Sequence, residues 1–155
     1  MKTDWRTPSS LFHLLQGAVG PAFAVDAAAD SSNHICDRWY GPGSIWGEDA
    51  LVVPKWASPA FCNPPYSRQI GVWIAKMNEQ AALGVTIVSL LPAKVETKWW
   101  YEGVVLPQRD IYFLVGRVAF DPPMDWMGPV DSPKFPSAVV LFGPETKGRV
   151  MWWRT

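Results

Sequence analysis

Cysteine is scarce in this chain. Cys36 and Cys62 are the only two in 155 residues, and their spacing fits neither a metal site nor a disulfide framework. A reduced, cytoplasmic protein is the expectation. A run of about 20 apolar residues is also missing. The most apolar stretch, 85–91, is bounded by Gly84 and Pro92, so no membrane span is expected. The opening Met1-Lys2-Thr3-Asp4-Trp5-Arg6 has no signal-peptide core. There is no basic excess, because 14 Lys and Arg balance 14 Asp and Glu. That argues against a tight, non-specific nucleic-acid binder but allows a local basic face. Charged residues make up 18% of the chain, too few for a disordered one. Repeats and low-complexity tracts are absent. What is present is apolar mass: 48% hydrophobic residues, with ten tryptophans, suit a single domain over 1–155 with a real core.

The local pattern alternates helices and strands. Thr7-Pro8 has the form of an N-cap followed by proline at the first helical position. Leu11, Leu14 and Leu15 continue with helical spacing as far as Gly17 or Gly20. Residues 22–25 predict a buried strand ending at Asp26. Weak strands are expected at 35–36 and 50–52, and another ends at Asn63. Ser67 then caps a predicted helix whose Ile70, Trp73, Ile74, Met77 and Ala81 share one face, with Gly84 at its end. The run 85–91 is nearly all apolar, as in a strand covered on both faces. A helix over 96–104 and a hairpin of strands 111–115 and 117–120 turning at Gly116 come next. A proline-rich loop over 122–136 and a strand over 137–142 complete the pattern. This is an α/β sheet, in which ligands bind beyond the carboxyl ends of the strands. Asp26 and Asn63 both fall at such ends.

The most informative residues are Asn63-Pro64-Pro65-Tyr66. A strand ending in this way gathers a side-chain amide oxygen, a backbone carbonyl within a proline pair that has no N–H to offer, and a flat ring. Such a site can hold a planar amino group by its two N–H bonds and stack on the ring that carries it. Methylation of an exocyclic amine needs that arrangement. His13 and His34 have no triad or metal partner in the sequence, and no metal is expected.

Five segments occur in one order: Asp4-Trp5-x-Thr7-Pro8, Val25-Asp26-Ala27-Ala28, Cys62-Asn63-Pro64-Pro65-Tyr66, Leu91-Pro92-Ala93 with Trp99-Trp100, and Phe135-Pro136-Ser137-Ala138-Val139-Val140. Together they resemble the phage-type DNA N-6-adenine methyltransferases, a small Dam-like family of phages and prophages. The resemblance implies a Rossmann-like methyltransferase fold: a mostly parallel seven-stranded sheet with helices on both faces. It implies S-adenosyl-methionine as methyl donor, DNA (double-stranded) as partner, and a bacterial cytoplasm as location, with protection from restriction as one role. It further implies that Thr7 and Pro8 meet the methionine carboxylate, where a helix N-terminus suits an anion. Asp26 would accept from the cofactor ammonium or a bound water, and Asp49 with Leu51 would meet its adenine. Asn63, Pro64, Pro65 and Tyr66 would be catalytic. Arg68, Lys94 and Lys98 are candidate phosphate contacts, with Arg117 and Lys134 behind them. The family's glycine-rich turn after the first strand is replaced here by Ala27-Ala28-Ala29, and Asp30 and Asp37 are both candidates for the ribose. Other readings stay open at this point. One is methyl transfer to another planar amine: cytosine N4, RNA adenine or a protein glutamine. Another is an inactive DNA-binding protein on the same scaffold. The oligomeric state is open.

Overall fold

The structure is a computed structural model that describes residues 6–19, 22–122, 127–128 and 135–154. Asp4, Trp5, Gly20, Lys134 and most of the proline-rich loop lie outside the described residues. The strands are β1 (Val25–Asp26), β2 (Ala60–Cys62), β3 (Ile87–Pro92), β4 (Asp110–Leu114), β5 (Ser137–Phe142) and β6 (Val150–Trp153). The helices are α1 (Ser9–Val19), α2 (Ile70–Ala82) and the short α3 (Lys98–Trp100), which runs on into a π-helical turn at Tyr101–Val105.

All six strands form one sheet in the order β1-β2-β3-β5-β4-β6. The expectation of a mostly parallel seven-stranded sheet is corrected: among the described residues the sheet has six strands and is mixed. β1, β2 and β3 pair in parallel, as do β4 and β6, but β5 pairs antiparallel with both β3 and β4. The reversal of β5 lets it lie between two strands that precede it in the chain. The predicted hairpin at Gly116 does not form, because β4 is already flanked by β5 on one side and β6 on the other. Strand β6, whose residues alternate between exposed and half-buried, takes the edge place. The weak strands are also corrected. Residues 35–36 bend, and Ala50–Val52 is a 3-10 turn capped by the Asp49 side chain.

Alternate strand residues divide between two cores, as the two-residue pleat requires. On one face Ala60, Cys62, Ile87 and Leu91 meet Ile70, Ile74, Met77 and Ala81 of α2. On the other, Phe61, Val88, Leu90 and Val139 meet α1. Helices therefore cover both faces. The α1 stripe differs by one residue from the expected one: Leu11, Phe12 and Leu15 are buried, while Leu14 is exposed. Phe12 packs against Phe23 and Phe61 with ring centroids 5.5 and 5.4 Å away, so aromatic contact decides which side of α1 turns inward. Burying a side chain such as Met77 or Ile74 contributes about 1.5–3 kcal/mol. Gly84, at a φ of +93°, ends α2 as expected.

Candidate active site

The site lies where β1 and β2 end. Asp26 and Phe61 are register partners, and both side chains lie on the α1 face together with Asn63, two residues beyond Phe61. Thr7, just ahead of α1, completes the group. Thr7, Asp26, Ala28, Asn33, Ile35, Phe61, Asn63 and Pro65 line one open pocket. Three elements far apart in sequence thus bring three predicted residues together.

Thr7 does not cap α1 as expected. The first bond of that helix runs from the Phe12 N–H to the Pro8 carbonyl, so Pro8 stands at the cap position ahead of Ser9 and the Thr7 hydroxyl is released for another use. It accepts from Asn63 Nδ2 at 2.9 Å. That bond fixes the amide with Oδ1 turned away from Thr7. No described residue donates to Asn63 Oδ1 or to the Pro64 carbonyl, whereas the Pro65 carbonyl accepts from the Ser67 N–H at 3.1 Å. Two carbonyl acceptors of the tetrad are therefore uncommitted. Tyr66 donates its hydroxyl to the Leu90 carbonyl at 3.0 Å, and burial pushes its phenol well above the ordinary range, so it stays a neutral donor. Its ring makes edge contacts with Phe120 and Phe135, centroids 6.0 and 5.4 Å away.

Asp26 is 5% exposed. Its two oxygens accept one N–H each, from Ala28 at 3.4 Å and Ile35 at 3.1 Å. Burial pushes its pKa up to about 7, against the lowering effect of those two hydrogen bonds. Residues 38–41 run beside β1, with Tyr40 N–H on the Asp26 carbonyl at 2.9 Å and Ala29 N–H on the Tyr40 carbonyl at 3.1 Å. A Cβ on Gly41 would collide with the Ala29 carbonyl oxygen. The close backbone approach is made by a glycine opposite the turn rather than within it.

The other predicted residues are more dispersed. Asp49 is exposed and accepts from the Leu51 N–H at 2.9 Å; neither it nor Leu51 lines the pocket. The Asp30 carboxylate is taken up by Ser32, and Asp37 is exposed. Arg68, Lys94 and Lys98 are all exposed on the connections that leave β2 and β3 at the carboxyl edge. Lys98 lies 3.9 Å from Glu102, and Arg117 is exposed and engaged. Sequence reasoning missed Asn33 and Ile35, which wall the pocket through an irregular segment with no motif. It also missed Phe120 and the role of Phe135 beside Tyr66. Among the described residues no helix is long and apolar enough to cross a membrane, and no three metal-ligating side chains converge.

Fold and site together define an α/β protein with a crevice at the carboxyl edge of its sheet, beside an asparagine followed by two prolines. A family model for DNA N-6-adenine-methyltransferases (Dam) matches residues 1–152, and the chain belongs to that family. No curated protein and no solved structure matches it. At family level the activity is methyl transfer to adenine N6 in DNA, and the family generally depends on S-adenosyl-methionine.

Proposed function

We propose that this chain methylates adenine N6 at particular sites in double-stranded DNA, with the target base turned out of the duplex onto the Asn63-Pro64-Pro65-Tyr66 tetrad. The observation that carries this reading is the pair of uncommitted acceptors, Asn63 Oδ1 and the Pro64 carbonyl, beside an amide anchored by Thr7. An exocyclic amine has two N–H bonds to give them. Its lone pair is delocalised into the ring, and two accepted hydrogen bonds draw the nitrogen toward a tetrahedral shape. Positive charge grows on that nitrogen during attack, so fixed carbonyl dipoles stabilise the transition state more than the ground state. Turning a base out of the duplex costs a few kcal/mol, and stacking on Tyr66 returns about 1–3 kcal/mol. Phe120 and Phe135 touch the Tyr66 ring, so this aromatic cluster has to open to admit a purine.

The donor chemistry fits the amino-acid end of S-adenosyl-methionine. Asp26 is a buried carboxylate on the pocket wall with acceptor capacity to spare, and an ammonium group would relieve the cost of its charge. Thr7 and Pro8, at the start of α1, would take the carboxylate. Asp49, whose second oxygen has no described partner, would with Leu51 meet the adenine. When bound, the cofactor supplies a methyl group activated by a sulfonium. Arg68, Lys94 and Lys98 would contact phosphates. A role in phage or prophage DNA, including protection from restriction, is consistent with this reading.

The test is incubation with unmethylated DNA and isotopically labelled cofactor, followed by nucleoside mass analysis. Label on N6-methyl-deoxyadenosine at recurring sequences is expected. Label on N4-methyl-cytosine, or on protein alone, would overturn the proposal, and absence of any cofactor binding would favour an inactive scaffold.

A further inference from the structure

Two buried hydroxyls in the sheet, those of Ser89 and Ser137, have no hydrogen-bond partner among the described residues. A buried hydroxyl left unpaired costs stability, so each needs an explanation. Ser89 sits mid-strand in β3 as the register partner of Cys62 and Val140, on the α2 face, opposite that of Asp26 and Asn63. Ser137 is placed differently. It is the first residue of β5, 1% exposed, and pairs with Pro92 at the last position of β3. By strand alternation it lies on the same face as Val139, Phe61 and the α1 core, which is also the face of Asp26 and Asn63. Pro136, its neighbour, accepts from the Ala93 N–H at 2.8 Å, and Phe135 touches the Tyr66 ring. Ser137 therefore lies at the carboxyl edge of the sheet, two residues along the chain from the Phe135 of the aromatic cluster around Tyr66.

We propose that Ser137 is a specificity-determining residue: once that cluster opens, its hydroxyl donates to a ring nitrogen of the target base while Asn63 and Pro64 hold the amino group. This rests on the function proposed above. β2 and β5 are two strand spacings apart, about 10 Å. An adenine held at its amino group and at N3 by hydrogen bonds of about 2.9 Å spans a similar distance. The unpaired hydroxyl of the free protein is then one that acquires its partner with substrate.

The test compares wild type, Ser137→Ala and Ser89→Ala on mixed-sequence duplex DNA made with adenine or with 1-, 3- or 7-deazaadenine throughout. Wild type should lose at least tenfold in kcat/KM on one of the three analogues. Ser137→Ala should lose at least tenfold on adenine DNA and nothing further on that analogue. Ser89→Ala should keep the wild-type discrimination. Ser137→Ala should also melt at or above the wild-type temperature, because it removes an unpaired polar group. A Ser137→Ala protein with the wild-type rate, or one that loses rate while keeping the wild-type discrimination, overturns the inference and leaves the proposed function standing. So does a marked fall in its melting temperature, which would make the hydroxyl structural. Failure of wild type to label adenine N6 overturns both.

Discussion

Two buried aspartates stand at opposite ends of the sheet and have opposite electrostatics. Asp26 ends β1 at the carboxyl edge, accepts one N–H on each oxygen, and has its pKa raised by burial to about 7. Asp110 begins β4 and is 1% exposed. Its Oδ1 accepts from the Lys147 and Arg149 N–H groups at 3.0 and 2.9 Å, and its Oδ2 from the Arg149 guanidinium at 2.8 Å. Burial again works against the charge, but these three donors outweigh it and hold the carboxyl below its ordinary range. Nearby Arg109 is likewise spoken for, by Asn78, Gly143 and Thr146. One end of the sheet closes its polar accounts internally; the other leaves a carboxylate, an amide oxygen and a proline carbonyl with capacity unused. Unused capacity in a buried place destabilises the free protein, and it is the physical mark of a place built for a ligand.

Exchanging single residues at the two ends tests that contrast. Asn63→Ala should lower kcat about a thousandfold, roughly 4 kcal/mol of transition-state stabilisation. Its melting temperature should stay within a few degrees of wild type, as read by labelled methyl transfer beside calorimetry. A near-normal rate in the folded variant would remove the tetrad from the chemistry. Asp26→Asn should weaken binding of S-adenosyl-methionine by about tenfold or more, one lost charge-assisted hydrogen bond, measured by titration calorimetry.

The same residue sets a pH dependence. Between the ordinary carboxylate range and about pH 7, folded Asp26 keeps a proton that the unfolded chain has released. The stability this contributes is complete at low pH and lost as pH rises through about 7. The loss amounts to at most about 4 kcal/mol. Relative to Asp26→Asn, the ligand-free wild type should therefore grow less stable from pH 5 to pH 8 in denaturant titrations. Parallel curves would mean that Asp26 ionises normally.

Asp110→Asn should do the reverse. It should cost about 1–3 kcal/mol of stability at neutral pH and leave kcat per folded molecule unchanged, because nothing it holds reaches the pocket. The smallest effects belong to the exposed cations. Replacing Arg68 or Lys94 by Ala should raise KM for DNA a few-fold and reduce the salt slope of binding by about one per residue. An unchanged slope would remove that residue from the DNA path.

Much of the site was legible along the chain because its residues sit at strand ends and their chemistry is local. A proline pair after an asparagine has no N–H to give wherever it folds, and Asp26 follows a short apolar run that reads as a buried strand. The face of α2 was legible for a similar reason, since Ile70, Trp73, Ile74, Met77 and Ala81 share one side of any helix. Other features depended on packing. Leu14 and Phe12 compete for the buried side of α1, and only the ring contacts with Phe23 and Phe61 settle it. The sequence placed Thr7 at a helix cap; its hydroxyl turned instead to Asn63, 56 positions away. The close approach of Gly41 to the Ala29 carbonyl, across the turn after β1, has no local signal either.

By itself, then, the sequence determined helices α1 and α2, the buried strands β1, β3 and β5, the apolar faces of α2 and β3, and the Asn63-Pro64-Pro65-Tyr66 tetrad, because each depends on periodicity or on the covalent chemistry of a few adjacent residues. The tertiary structure alone decided the strand order with β5 reversed between β3 and β4 and the meeting of Thr7, Asp26 and Asn63 in one pocket. It also decided the opposite fates of Asp26 and Asp110. Those depend on which groups arrive from distant parts of the chain to share a hydrogen bond or exclude water, and no local pattern encodes that.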